Sequence, residues 1–234
     1  DALGKFGPTA APAVPEIIRA LQGKLNDETV RRRGARSLGQ IGPAASAAVE
    51  QLEQALASDD ALYRIAAAEA LWQINQHHRS LSLLSRELSS DDAEAAFAAA
   101  HALGEIGDAE AHTVAPLVNA LDHADPDVRQ AVVAALARIG PPALEPISRK
   151  FSSLTPEHQS DAATALGMII DQLRRDVLYH DGATQSDFTS AAAPLIRVVF
   201  PVLITGMQSD DTATRNACTL ALAKGGSLSL VKLM

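Results

Sequence analysis

Residues 125 to 140 read DPDVRQAVVAALARIG, and the order of residue types in that stretch describes one complete helix with both its ends. Asp125 suits the start, because its carboxylate accepts hydrogen bonds from the free N–H groups of a first turn and complements the positive end of the helix dipole. Val128, Val132, Leu136 and Ile139 follow at spacings of three and four, which places them on one face. Gly140 stands where helices commonly end on a left-handed residue. Pro141 then blocks continuation while suiting the first turn of a following helix.

The chain says nearly the same thing elsewhere. RSLGQIGPAA (36–45) and HALGEIGDAE (101–110) match AALARIGPPA (134–143), and the leucine in this pattern recurs at Leu3, Leu38, Leu71, Leu103, Leu136, Leu166 and Leu222. Self-similarity at a period of about 30 to 35 residues marks an array of small supersecondary units. Eleven positions before each leucine from Leu38 onward stand Asp27, Asp60, Asp92, Asp125, Thr155 and Asp211, all good N-caps. Four residues before the last five caps stand Leu56, Leu88, Leu121, Phe151 and Met207, apolar as expected where a preceding helix ends against a core. Each unit therefore reads as helix A, a short turn opening on the cap, helix B, and a Gly or Gly-Pro break. No stretch alternates apolar and polar residues without also fitting a helix, so no strand is expected.

Composition agrees with this and narrows the function. Apolar residues make up 47% of the chain but aromatics only 3%, so the core must be built from Ala, Leu, Val and Ile, which favours closely packed helices. The formal charge of -8 disfavours nucleic acid as the main partner, since a protein that tracks a phosphate backbone carries a basic face. No apolar run is long enough to span a membrane, and no membrane insertion is expected. The single cysteine, Cys218, excludes an intramolecular disulfide and a Cys-based zinc site. Its alignment with small residues places it in the core, and it suits a reducing, cytoplasmic location.

The motif D-x-x-V-R-x-x-A-x-x-A-L-x-x-I-G resembles the HEAT repeat, in particular the short bacterial kind related to phycobilisome-lyase HEAT-like repeats. Asp27 with Arg31, Asp60 with Arg64, Asp125 with Arg129 and Asp211 with Arg215 reproduce the family's Asp and Arg pair. The resemblance implies that such pairs form a structural ladder between repeats, interrupted where Ala96 and Gln159 replace Arg and Thr155 replaces Asp. The expected fold is an all-α, right-handed α-solenoid of about six HEAT-like helical hairpins, with residues 1–234 forming a single domain. DALGKFGP at the start reads as the tail of an earlier helix B and GGSLSLVKLM at the end as the start of another helix A, so the chain is expected to be a piece of a longer protein. One insertion, a prolonged helix B and a loop around residues 171–192, breaks the period.

Arrays of this family mostly hold other proteins; a few relatives are bilin lyases or chromophore-detaching factors, and a small group are DNA glycosylases. The residues favour the first class. His77 and His78 are adjacent and point apart on a helix, and His101, His112 and His123 fall on different elements. No catalytic set, metal site or cofactor is expected. Binding of a protein or peptide should fall on the B-helix positions outside the apolar stripe, where Arg32, Arg33, Arg36, Ile65, Phe97 and His101 combine basic and apolar anchors. Tyr179 and His180 in the insertion are further contact candidates. Trp72, at a position that is glycine in three other units, should fill a gap between repeats.

Overall fold

The computed structural model of the chain describes residues 4–23, 27–107, 111–179, 193 and 195–230. Among them the fold is all-α, without strands, and built as a solenoid of helical hairpins. The chain divides into two compact units, Asp1–Ile106 and Gly107–Met234.

In the first unit a 3-10 stretch, Gly4–Ala13, leads into α1 (Val14–Gln22), which pairs with α2 (Glu28–Ile41). A second 3-10 stretch, Gly42–Ala48, leads into α3 (Val49–Ala55), which pairs with α4 (Ala61–Asn75). Then α5 (His78–Leu88) pairs with α6 (Ala93–Ile106). The second helices stack in order, α2 on α4 and α4 on α6. Their approach is close because the facing residues are small: a Cβ added to Gly39 would lie 2.9 Å from the Cα of Ala70.

In the second unit α7 (Ala111–Asn119) pairs with α8 (Pro126–Ile139), α9 (Leu144–Phe151) with α10 (Pro156–Tyr179), and α11 (Phe200–Gly206) with α12 (Thr212–Leu230). Here α10 packs against both α8 and α12. It is the prolonged helix expected before the insertion, buried as far as Ile169 and Ile170 and progressively exposed from Asp171 to Asp176. The rest of the insertion lies outside the described residues.

The repeat leucines Leu38, Leu71, Leu103, Leu136 and Leu166 are fully buried, and Leu222 is half-buried. Asp27, Asp60, Asp92, Asp125 and Asp211 each accept a hydrogen bond from a backbone N–H two or three residues ahead, at 2.6 to 3.3 Å. Gly42, Gly107 and Gly140 close their helices with positive φ, and Gln76 takes the left-handed cap at the end of α4. Val30 stands three residues after its cap, as the buried Val128 does, yet it is exposed. The GGSLSL segment does not start a new helix either. Helix α12 runs on through it to Leu230, and Gly225 serves packing, since a Cβ there would lie 2.8 Å from the Phe200 ring.

Among the described residues no side-chain hydrogen bond joins the Asp and Arg of a pair. Each Asp caps its own helix, while in three of the four pairs the Arg four residues later turns back and donates to two carbonyls of its own turn; Arg31 instead stands over the Tyr63 ring, 5.5 Å from its centroid. Arg64 bonds Ser58 O and Asp59 O, Arg129 bonds His123 O and Ala124 O, and Arg215 bonds Ser209 O and Asp210 O. Gln159 likewise donates to Phe151 O and Leu154 O, so the substitution keeps bonds to the preceding turn. Two of these arginines also reach the next hairpin: Arg64 holds Glu87 of α5, and Arg129 holds Asp161 and Glu157 of α10. For Glu87 burial pushes the carboxyl up, but the hydrogen bonds from Arg64 and Arg86 outweigh it and hold it below the usual carboxylate range.

Candidate functional site

A groove of about 790 Å³ crosses the second helices of the first unit. Its lining follows from helical register. Counting from each N-cap Asp, the lining residues fall two, five to six, nine and thirteen positions on, which are successive turns of one helix face. The α2 wall carries Arg32, Arg33, Arg36 and Gln40; the floor, on α4, carries Leu62, Glu69 and Gln73; the α6 wall carries Glu94, Phe97, His101 and Glu105.

Five of the six groove candidates read from the sequence lie on this surface, but not in equal roles. Arg33 and Arg36 are exposed on the α2 wall, and Arg33 forms no ion pair with any described residue. Arg32 is engaged: its Nε donates to Asp60 Oδ2 at 2.9 Å and a terminal nitrogen pairs with Glu28 at 3.3 Å, so it ties α2 to the cap of α4. The Asp60 bond raises its pKa further, and the charge is permanent. Phe97 is 45% exposed, a large apolar side chain standing open to the groove. His101 is exposed beside Glu105, with Nε2 to Oε1 at 3.7 Å.

Ile65 corrects the sequence reading. It is 2% exposed and does not line the groove. It shares the register position of Arg32 and Phe97, but on α4, which packs against both α2 and α6, the side chain at that position is enclosed. Tyr179 ends α10; its side chain and the whole of His180 lie outside the described residues. Before them, Arg174 and Arg175 both pair with Asp171 of the same helix.

The sequence reading passed over the acidic half of the site. Glu69 shares the register position of Arg36 and His101, Glu105 shares that of Gln40 and Gln73, and Glu94 lies seven residues before His101, on the same face two turns earlier. Glu69 is half-buried on the floor. Burial pushes its carboxyl above the usual range and Glu105 adds to the shift, while Arg36 and a hydrogen bond from Gln73 act against it. The groove thus presents guanidinium groups on one wall and carboxylates on the floor and the opposite wall.

Elsewhere, Trp72 is half-buried and meets His78 edge-on, with ring centroids 6.1 Å apart and an interplanar angle of 76°. Cys218 is fully buried, and burial pushes its thiol up to about 11. Among the described residues no group of three His, Cys, Asp or Glu side chains is placed to hold a metal ion, and no helix is long and apolar enough to cross a membrane.

The HEAT-repeat family matches residues 1–72, 49–115 and 114–193. No curated protein sequence matches the chain. Among solved structures, a designed armadillo repeat protein, YIII(Dq)4CqI, is 19% identical, covering 91% of this chain and 99% of that one with a TM-score of 0.47. A second, YIII(Dq.V1)4CPAF in complex with the peptide (KR)4, is 18% identical over the same shares, with a TM-score of 0.48. Human deoxyhypusine hydroxylase in complex with glycerol is 18% identical, covering 97% of this chain and 100% of that one, with a TM-score of 0.31. At these scores the likenesses transfer no residue role and no activity.

Proposed function

Given that the chain belongs to the HEAT-repeat family, we propose that it is a non-catalytic scaffold that binds a protein or peptide in the groove across α2, α4 and α6. The observation that carries this reading is the composition of the lining. An open channel of about 790 Å³ joins two exposed arginines to an exposed phenylalanine, the residue types that anchor protein interfaces. An aromatic ring left in water at the wall of a polar groove costs solvation that a partner's apolar side chain would recover.

The lining favours binding: the arginines carry permanent charge, and Glu69 faces Arg36 and Gln73. The carboxylates on the floor and far wall would also repel a phosphate backbone, which supports a protein partner over nucleic acid.

The test is a comparison of proteins captured by the chain and by Arg33→Glu/Arg36→Glu/Phe97→Ala, after circular dichroism melts show that both are equally folded. The expected result is a partner retained by the first and lost by the second. A partner set unchanged by the triple substitution would refute the assignment of function to this groove.

A further inference from the structure

The charges in the groove are sorted, and the sorting describes the occupant. On the α2 wall every ionised group in the lining is cationic: Arg32, Arg33 and Arg36. Across the floor the sign reverses, with Glu69 on α4 and Glu94 and Glu105 on α6. The two α6 carboxylates are eleven residues apart, about 16 Å along the helix, and they bracket Phe97, Ala98 and His101. Among the groups that face these carboxylates are His101, which meets Glu105 at 3.7 Å, Gln73, which donates to Glu69 at 3.3 Å, and from the far wall the charges of Arg36, which acts on Glu69, and Arg32, which acts on Glu94.

A uniformly acidic segment would gain at α2 and be repelled at α6 and on the floor. A uniformly basic one would face the converse. Only a chain whose charge changes sign along its length satisfies both walls. The recessed floor leaves room for such a chain to cross from wall to wall. Adjacent packed helices lie about 9 Å apart, so α2 to α6 is about 18 Å, and an extended chain advancing about 3.3 Å per residue crosses it in five or six residues.

We propose that the groove takes an extended peptide of opposed charge, with an acidic residue over Arg33 and Arg36, an apolar side chain against Phe97, and a lysine or arginine at Glu94 or Glu105. This rests on the reading of the groove as the binding surface. The acidic and basic residues stand about five positions apart, with the apolar residue between them and nearer the basic end. The electrostatics of the floor favour the same polarity. Glu69 is held against burial and against its neighbour Glu105, and a cationic side chain arriving between them would relieve both.

The experiment is selection of random displayed dodecapeptides on the full chain, repeated on Phe97→Ala and on Arg33→Glu/Arg36→Glu, each shown by circular dichroism to be folded. The expected enrichment is an acidic residue separated from a basic one by an apolar-containing stretch. The acidic preference should vanish on the double variant and the apolar preference on Phe97→Ala. A synthetic peptide of the enriched sequence should lose about tenfold or more in affinity, by fluorescence polarisation, when its acidic and basic residues are exchanged for residues of one sign.

Enrichment of uniformly acidic or uniformly basic peptides that is still lost on the groove variants would overturn the opposed-charge inference and leave the groove standing. Enrichment that is the same on all three proteins would overturn the groove assignment itself. A selection that enriches nothing would overturn the peptide proposal while leaving a folded protein surface as the partner.

Discussion

Replacing Arg129 by alanine tests how successive hairpins are fastened. The side chain is 5% exposed and serves four acceptors at once. Its Nε donates to Asp161 Oδ2 at 2.8 Å, one terminal nitrogen donates to His123 O and Ala124 O at 2.9 and 3.1 Å, and the other donates to Glu157. Only a planar fork with five donors can do this. The two acids are not buried with it: Asp161 is 28% exposed and Glu157 73%. Water replaces the guanidinium at both, so the cost of about 3–5 kcal/mol for a stranded buried charge does not apply.

What is lost is two bonds to turn carbonyls at about 1 kcal/mol each, a partly screened ion pair worth about 1 kcal/mol at most, and some packing of the buried stem. The sum is roughly 2 to 4 kcal/mol, or a fall in Tm of roughly 5 to 15 °C for a chain of this size. Arg36→Ala, on the exposed groove wall, should stay within about 0.5 kcal/mol of the parent. Circular dichroism melts and urea titrations of both variants give the comparison. If Arg129→Ala loses no more stability than Arg36→Ala, the clamp is not what holds α8 to α10.

Three further outcomes follow from the same structure. A Cβ at Gly206 would lie 2.4 Å from Cys218 Sγ and 3.0 Å from Phe151 Cζ, so Gly206→Ala should cost about 1–3 kcal/mol by overpacking, and Cys218→Ala added to it should restore part of that loss in the same melts. With its thiol pushed up to about 11 by burial, Cys218 should react with iodoacetamide at neutral pH only as fast as the second unit opens, because the thiolate is the nucleophile; rapid labelling of the native chain would contradict its place in the core. Glu69 has a raised pKa in the folded state, so the fold binds its proton more tightly than the unfolded chain does, and stability falls as pH rises from the ordinary carboxylate range through the folded value. Glu69→Gln should therefore be the more stable protein at neutral pH, with the difference vanishing in acid, as read from denaturant midpoints across pH.

The parts of this molecule that were legible in the sequence are those decided within a turn or two of helix. An aspartate eleven residues before Leu38, Leu71, Leu103 and Leu136 caps the same helix that the leucine buries, and both effects are local enough to be written in spacing alone. The same holds for Arg33, Arg36, Phe97 and His101, whose places on the groove follow from register.

Ile65 was misread because its surroundings are set by neighbours on both sides, which register within one helix cannot report. The ladder between repeats is legible at Arg64 and Arg129, which do reach the next hairpin, but their bonds to turn carbonyls are not. The motif shows that an arginine is needed four residues after the cap, but the carbonyls it clamps carry no residue identity and leave no trace in the sequence. Glu94 shares the face of His101 two turns earlier, at a position where the other two helices carry Thr29 and Leu62, so the repeat pattern does not mark it. The role of Gly225 was hidden because a glycine that admits the Phe200 ring and a glycine that stops a helix look the same in one dimension.

The length of α10 has a consequence for how the second unit breathes. Its neighbour α8 is a helix of 14 residues while α10 has 24, and core burial along it runs to Ile170, with Asp171 to Asp176 half-buried or exposed. Amide protons before that point are released only when the packed hairpins come apart. Those from Asp171 to Asp176 are guarded by little more than the helix's own ladder, and so exchange through local fraying at far lower free energy. In deuterium exchange the single continuous helix should divide into a slow half and a fast half, with the border falling where the side chains leave the core.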